Sequence, residues 1–141
     1  MVLLGLMLGM GLLSGPVEAK KTYGHWTVTR VNRVYDGDTF YVDVAGLHPI
    51  IGQNIPIRIH GVDTPEMNDP DPKVRGRAIQ ARDFLSQRLQ AARVIELRHI
   101  RRGKYFRVVA DVYADDQNVG QMLIDNGLAR PYNLPNKTTS K

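Results

Sequence analysis

Asp38, Asp63 and Glu66 fall in two short segments, Asp36-Gly37-Asp38-Thr39 and Val62-Asp63-Thr64-Pro65-Glu66, and Arg58 stands just before the second. A second arginine, Arg107, lies downstream inside Lys104-Tyr105-Phe106-Arg107. Carboxylates beside arginine point to metal-assisted phosphate chemistry. Carboxylate oxygens suit hard cations such as calcium and magnesium, and a guanidinium offers a planar fork that fits two phosphate oxygens at once. A phosphodiester is anionic and repels hydroxide. Its hydrolysis therefore needs charge neutralisation, an activated water, and stabilisation of the transition state.

Each segment alone has a plainer reading. Asp36-Gly37-Asp38 could be only a hairpin turn, because Asp-Gly is a strong turn signal. It is no EF-hand loop, since the further ligand positions are missing. Asp63-Thr64-Pro65-Glu66 could be a helix-capping segment with proline at the first helical position. The joint occurrence with both arginines favours a site.

In their order these residues resemble the staphylococcal nuclease family, whose pattern is Asp-Gly-Asp-Thr, then Arg, then Val-Asp-Thr-Pro-Glu, then Tyr-x-Arg. The resemblance runs from about Val31 to Ala129 and includes the closing Asn126-Gly127-Leu128-Ala129. It implies that Asp38 and Asp63 give carboxylate oxygens to one Ca2+ and that Thr64 gives its main-chain carbonyl. It implies that Glu66 acts as general base or orients the attacking water, while Arg58 and Arg107 clamp the phosphate. Lys104 and Tyr105 match positions that contact substrate phosphate, and Tyr132 lies near a tyrosine that stacks on a base. Phe106 departs from the pattern, which has glycine there. The implied activity is hydrolysis of DNA and RNA with little sequence preference, leaving 3'-phosphate ends.

The elements that must position these groups are legible in the periodicity. Phe40, Val42 and Val44 alternate with Thr39, Tyr41 and Asp43, and Ile55, Ile57 and Ile59 repeat the alternation, so Arg58 and His60 face away from the isoleucines. His48-Pro49 to Gly52 reads as the turn between these strands. A helix is predicted from near Lys73 or Val74, with Ala78, Ala81, Leu85, Leu89 and Ala92 as its buried stripe. Val94 to Ile100 and Tyr105 to Tyr113 read as strands around an Arg101-Arg102-Gly103 turn, and Val119 to Ile124 as a short helix stopped by Asn126-Gly127. Three strands, a helix and two strands fit an α+β β-barrel, the OB-fold: a five-stranded Greek-key barrel with about two helices. The family resemblance implies the same fold. Its prototype adds a long final helix, which the proline-containing segment after Ala129 is not expected to form.

A chain of 141 residues, 43% hydrophobic and 23% charged, is enough for one domain with a real core. The formal charge of +5 favours a polyanionic partner without identifying it. No cysteine is present, so disulfides and thiolate zinc sites are excluded. His25, His48, His60 and His99 lack metal-ligand spacing and read as structural or solvated. Residues 1–19, apolar from Val2 to Leu13 and ending Val17-Glu18-Ala19, read as a secretory signal peptide, although no Lys or Arg precedes the apolar run. Residues 20–130 are expected to be the nuclease-like domain and 131–141 a flexible tail. The protein is thus expected to be secreted or periplasmic, monomeric, without stable membrane association after cleavage, and to take DNA and RNA as substrates. The alternative is a non-catalytic OB-fold module that binds nucleic acid. Three carboxylates facing a polyanion argue against it, since without a cation they repel phosphate.

Overall fold

A computed structural model describes residues 21–132. The expected leader, and the tail beyond Tyr132 with the question of a final helix, lie outside the described residues. In chain order the elements are β1 (Trp26–Val34), β2 (Thr39–Val44), a one-turn α1 (Pro49–Gly52), β3 (Ile55–Ile59), β4 (Val62–Asp63), α2 (Pro72–Ala91), β5 (Ile95–Arg102), β6 (Val108–Ala114), β7 (Gln117–Asn118), α3 (Val119–Asp125) and β8 (Arg130–Pro131).

The long strands pair in the order β3-β2-β1-β5-β6, and β3 then pairs with β6 to close the sheet. Every contact between neighbours in this ring is antiparallel except the closing one, which is parallel. The result is a closed five-stranded mixed barrel with three helices, the OB-fold of the sequence expectation. Closure leaves these five strands without free edges. Among the described residues no helix is long and apolar enough to cross a membrane.

Period-two alternation decides which side chains fill the barrel. In β2, Phe40, Val42 and Val44 are buried, and in β3, Ile55, Ile57 and Ile59 are buried, while Arg58 is turned out of the core. Leu97, Val112, Val119 and Leu123 complete the interior. Burying each such side chain contributes roughly 1.5–3 kcal/mol. Helix α2 covers the barrel with Ala78, Ala81, Leu85 and Leu89, the stripe read from helical spacing. Its first residue is Pro72, and the Asp71 carboxylate accepts from the Lys73 amide at 2.9 Å as the cap. Asp63-Thr64-Pro65-Glu66 is therefore not the capping segment, and its side chains are left for other work.

The β5–β6 hairpin differs from expectation. β5 runs on through Arg101 and Arg102, which pair with Val109 and Val108, so the turn is Gly103 to Arg107. A bulge at His99, with φ 50°, shifts the register between Arg98 and Arg101 and carries the pairing past the expected end. Tyr105 and Phe106, strand formers by type, hold left-handed φ values of 53° and 60° in the turn. At the end of α3, Gly127 has φ 69°, and the Leu128 amide donates to Leu123 at 2.9 Å, so the helix stops where Asn126-Gly127 predicts.

Candidate active site

The Asp36-Gly37-Asp38 segment is indeed the hairpin turn from β1 to β2, and it is also the acidic floor of a cleft. The amides of Tyr35 and Asp36 donate to the Thr39 carbonyl at 2.9 and 3.3 Å, and the Asp38 amide donates to Asp36 Oδ1 at 3.0 Å. Gly37 is required by packing: a Cβ there would lie 2.6 Å from Ala81 Cβ and 2.8 Å from Thr64 Cγ2. The turn is thus pressed between α2 and the segment carrying Asp63 and Thr64.

Register explains how distant residues meet. Arg58 in β3 pairs with Thr39 in β2 on one side and with Val109 in β6 on the other. It stands beside Asp38, the neighbour of Thr39, and near the end of the hairpin that carries Arg107. Arg58 forms an ion pair with Asp38 and lies 4.0 Å from Asp63 Oδ1. The Asp38 side chain is buried, and Oδ2 accepts from the Thr64 amide at 3.1 Å and from Thr64 Oγ1 at 3.0 Å, while Oδ1 accepts from Thr39 Oγ1 at 3.1 Å. A carboxylate so held cannot swing away from the cleft.

The cleft, of ≈ 480 Å³, is lined by Tyr35, Asp36, Asp38, Arg58, Glu66, Lys104, Tyr105 and Arg107 among others. Glu66 is exposed at its wall, and Arg107 Nε is buried without a hydrogen-bond partner among the described residues. A buried guanidinium donor with no partner is suited to an incoming anion. Burial, and after it the charge of Asp38, push the Asp36 carboxyl up to about 6. Crowded oxygen-only acids of this kind suit a hard cation, so Asp38, Asp63 and the Thr64 carbonyl fit calcium by donor chemistry. Arg58 contacts both acids, Nη1 pairing with Asp38 and Nη2 lying 4.0 Å from Asp63 Oδ1. Among the described residues no group of three or more His, Asp or Glu side chains is placed to hold an ion by itself.

Of the residues singled out in the sequence, Asp38, Arg58, Glu66, Lys104, Tyr105 and Arg107 line this one cleft, and Asp63 and Thr64 join it through Arg58 and Asp38. Tyr132 does not line it. Its amide donates to the Gly61 carbonyl at 2.8 Å and anchors the chain after β8. Sequence reasoning missed Arg130, whose Nη2 donates to Asp63 Oδ2 at 3.0 Å through the pairing of β4 with β8. It also missed the Thr64 hydroxyl, which is committed to Asp38. The signal for Arg130 was only its place directly after Asn126-Gly127-Leu128-Ala129.

Comparison with known proteins bears on the family. A family model described as staphylococcal nuclease homologue matches residues 56–141, a stretch holding Arg58, Asp63 to Glu66 and Arg107. The chain is 33% identical over 117 residues to the thermonuclease of Staphylococcus intermedius, covering 82% of this chain and 66% of that protein. It is 35% identical over 102 residues to the thermonuclease of Staphylococcus hyicus, covering 72% of this chain and 57% of that protein. The chain thus spans somewhat less than two thirds of the length of these relatives. The Asp36 to Thr39 turn precedes the family-model match and is tied to it by the contacts of Asp38 with Arg58 and Thr64. With the barrel, the cleft and the matched stretch all in place, the chain belongs to the staphylococcal nuclease family.

Proposed function

We propose that this protein is a calcium-dependent nuclease that hydrolyses phosphodiester bonds of DNA and RNA with little sequence preference and leaves 3'-phosphate ends. The observation that carries the reading is the convergence of Arg58, Arg107, Glu66 and the threonine-held Asp38 on one cleft. Arg58 and Arg107 bind non-bridging phosphate oxygens and follow the charge that grows on them in the transition state. Glu66 receives a proton from the attacking water, whose oxygen bonds to phosphorus as the bond to the 5' oxygen breaks. A proton then returns to the 5' oxygen, leaving a 5' hydroxyl and a 3' phosphate. Thr64 and Thr39 keep the Asp38 carboxylate in place throughout. A calcium ion held by Asp38, Asp63 and the Thr64 carbonyl would supply charge neutralisation at the phosphate. Lys104 and Tyr105, exposed at the hairpin tip, contact substrate phosphates.

The apolar stretch from Val2 to Leu13 and the Val17-Glu18-Ala19 segment support export to the periplasm or medium. Purified protein incubated with plasmid DNA and with RNA, in calcium, in magnesium and in chelator, tests the reading. Cleavage in calcium, little in magnesium and none in chelator is expected, with 3'-phosphate ends on the fragments. Binding without cleavage in every metal would make the protein a non-catalytic binding module. Expression with the full leader should place a chain beginning at Lys20 outside the cytoplasm, and an uncleaved cytoplasmic chain would overturn the export reading.

A further inference from the structure

The β5–β6 hairpin holds two aromatic residues out in water on strained backbone. Tyr105 is 93% exposed and Phe106 86% exposed, both with left-handed φ. Large side chains at such φ cost free energy, and they recur at ligand-binding sites. The two rings serve different depressions. Tyr105 lines the acidic cleft, whereas Phe106 lines an adjoining groove of ≈ 510 Å³. Tyr23, Ile50, Ile51 and Ile100 give that groove an apolar wall, and Ile50 is 85% exposed. Pro56 and Arg107 line both depressions, so the groove continues the cleft.

The chemistry of the groove differs from that of the cleft. Arg101, Arg102 and Arg107 stand at it, and among the described residues no carboxylate lines it. It therefore offers no anionic ligand to a cation and no negative charge to repel phosphate. A flat apolar face beside arginines matches a nucleobase followed by its phosphate, the combination by which single strands bind without sequence preference. Gln53 and Asn54 at the groove offer amides to base edges.

We propose that this groove is a nucleotide subsite, which stacks an unpaired base next to the scissile phosphate on Phe106 and places the following phosphate against Arg102. The proposal rests on the nuclease reading above and deepens it, because it names the groove that would hold the nucleoside beside the scissile phosphate.

The test uses the full protein, with octathymidylate and a small thymidine nitrophenyl phosphodiester that carries one nucleoside and cannot fill both depressions. Phe106→Ala should raise KM for octathymidylate, and Kd by fluorescence anisotropy, by roughly 5- to 100-fold, with kcat near the parent value. Ile50→Glu, at a position that is nearly fully exposed, should weaken the same binding by repelling phosphate and leave folding intact. Hydrolysis of the small diester should be the same in both variants and the parent. Equal octathymidylate affinity in parent and variants would overturn the proposal. So would an equal loss on both substrates, which would place Phe106 in the acidic cleft, or a change only in concentration-dependent mass by light scattering, which would make the groove a contact for a second copy. A parent that cleaves neither substrate, while Phe106→Ala still weakens octathymidylate binding, would remove the nuclease reading and keep the subsite. A parent that neither cleaves nor binds would remove both.

Discussion

In the cleft, the carboxylates of Asp36, Asp38, Asp63 and Glu66 face Arg58 and Arg107, whereas on the outward face of β6 one carboxylate, Asp111, is shared by three basic side chains. His60 Nδ1 lies 2.8 Å from one of its oxygens, His99 Nδ1 2.7 Å from the other, and Arg101 3.6 Å away. Both Asp111 oxygens have a histidine partner, while Arg101 Nη1 is near enough for an ion pair but makes no hydrogen bond among the described residues. In the cleft, burial and then the charge of Asp38 push the Asp36 carboxyl up to about 6, and Arg107 Nε is buried without a partner among the described residues. Acids crowded together, and a buried donor left without a partner, oppose folding unless a ligand engages them. The difference lies in the acids: both oxygens of Asp111 are engaged by histidines, whereas in the cleft Asp36 is crowded against Asp38 and is held above its usual range.

Substitutions in the cleft should break the comparison most forcefully. Arg58→Lys keeps the charge but loses the planar fork, and kcat/KM on plasmid DNA should fall by about 10³ to 10⁵. Glu66→Gln should cost roughly 10² to 10⁴ in the same assay. Both should melt near the parent temperature and still bind DNA. A folded variant with turnover close to that of the parent would return the acidic cluster to the status of an ordinary turn. Gly37→Ala drives a methyl group against Ala81 and Thr64, and urea unfolding should show a loss of about 1–3 kcal/mol. Its activity should fall as well, because the displaced turn carries Asp38.

At the Asp111 cluster the outcome reverses. Asp111→Ala leaves His60 and His99 without their acceptor and Arg101 without its ion-pair partner, and should cost about 1–3 kcal/mol of stability. Its kcat/KM per folded molecule should match that of the parent. A selective loss of activity there would erase the distinction between the two clusters.

Acid titration gives a smaller contrast of opposite sign. The Asp115 carboxyl is held below its usual range by the amides of Val94 and Arg93, so its ionised form stabilises the fold above the unfolded pKa, and that support is lost as pH falls through the folded pKa. The Asp36 carboxyl is raised, so its ionisation opposes folding above about pH 6, and this opposition vanishes below the unfolded value near 4. In chelator, Asp115→Asn should lower the melting temperature at pH 7 and much less in strong acid. Asp36→Asn should raise it at pH 7 and have little effect at about pH 4. Parallel pH profiles for the two variants would contradict the assigned environments.

Much of this molecule was legible before folding because the relevant physics is local. Alternation through Phe40, Val42 and Val44, the helical stripe from Ala78 to Leu89, and the stop at Asn126-Gly127 each reside within one window of chain. The motif order around Asp38, Arg58, Asp63, Glu66 and Arg107 was equally plain, and the barrel brings these residues to one cleft. The β5–β6 turn was displaced because Tyr105 and Phe106 are strand formers by propensity, and the His99 bulge carries the pairing through Arg102. Arg130 on Asp63, both histidines on Asp111, and the Thr64 hydroxyl on Asp38 were invisible in the sequence. Each joins residues brought together by strand register and barrel closure. Periodicity determines which face of a strand is buried, but which two strands lie side by side, and at what offset, is decided only when the whole barrel minimises its exposed apolar surface and unpaired backbone groups together.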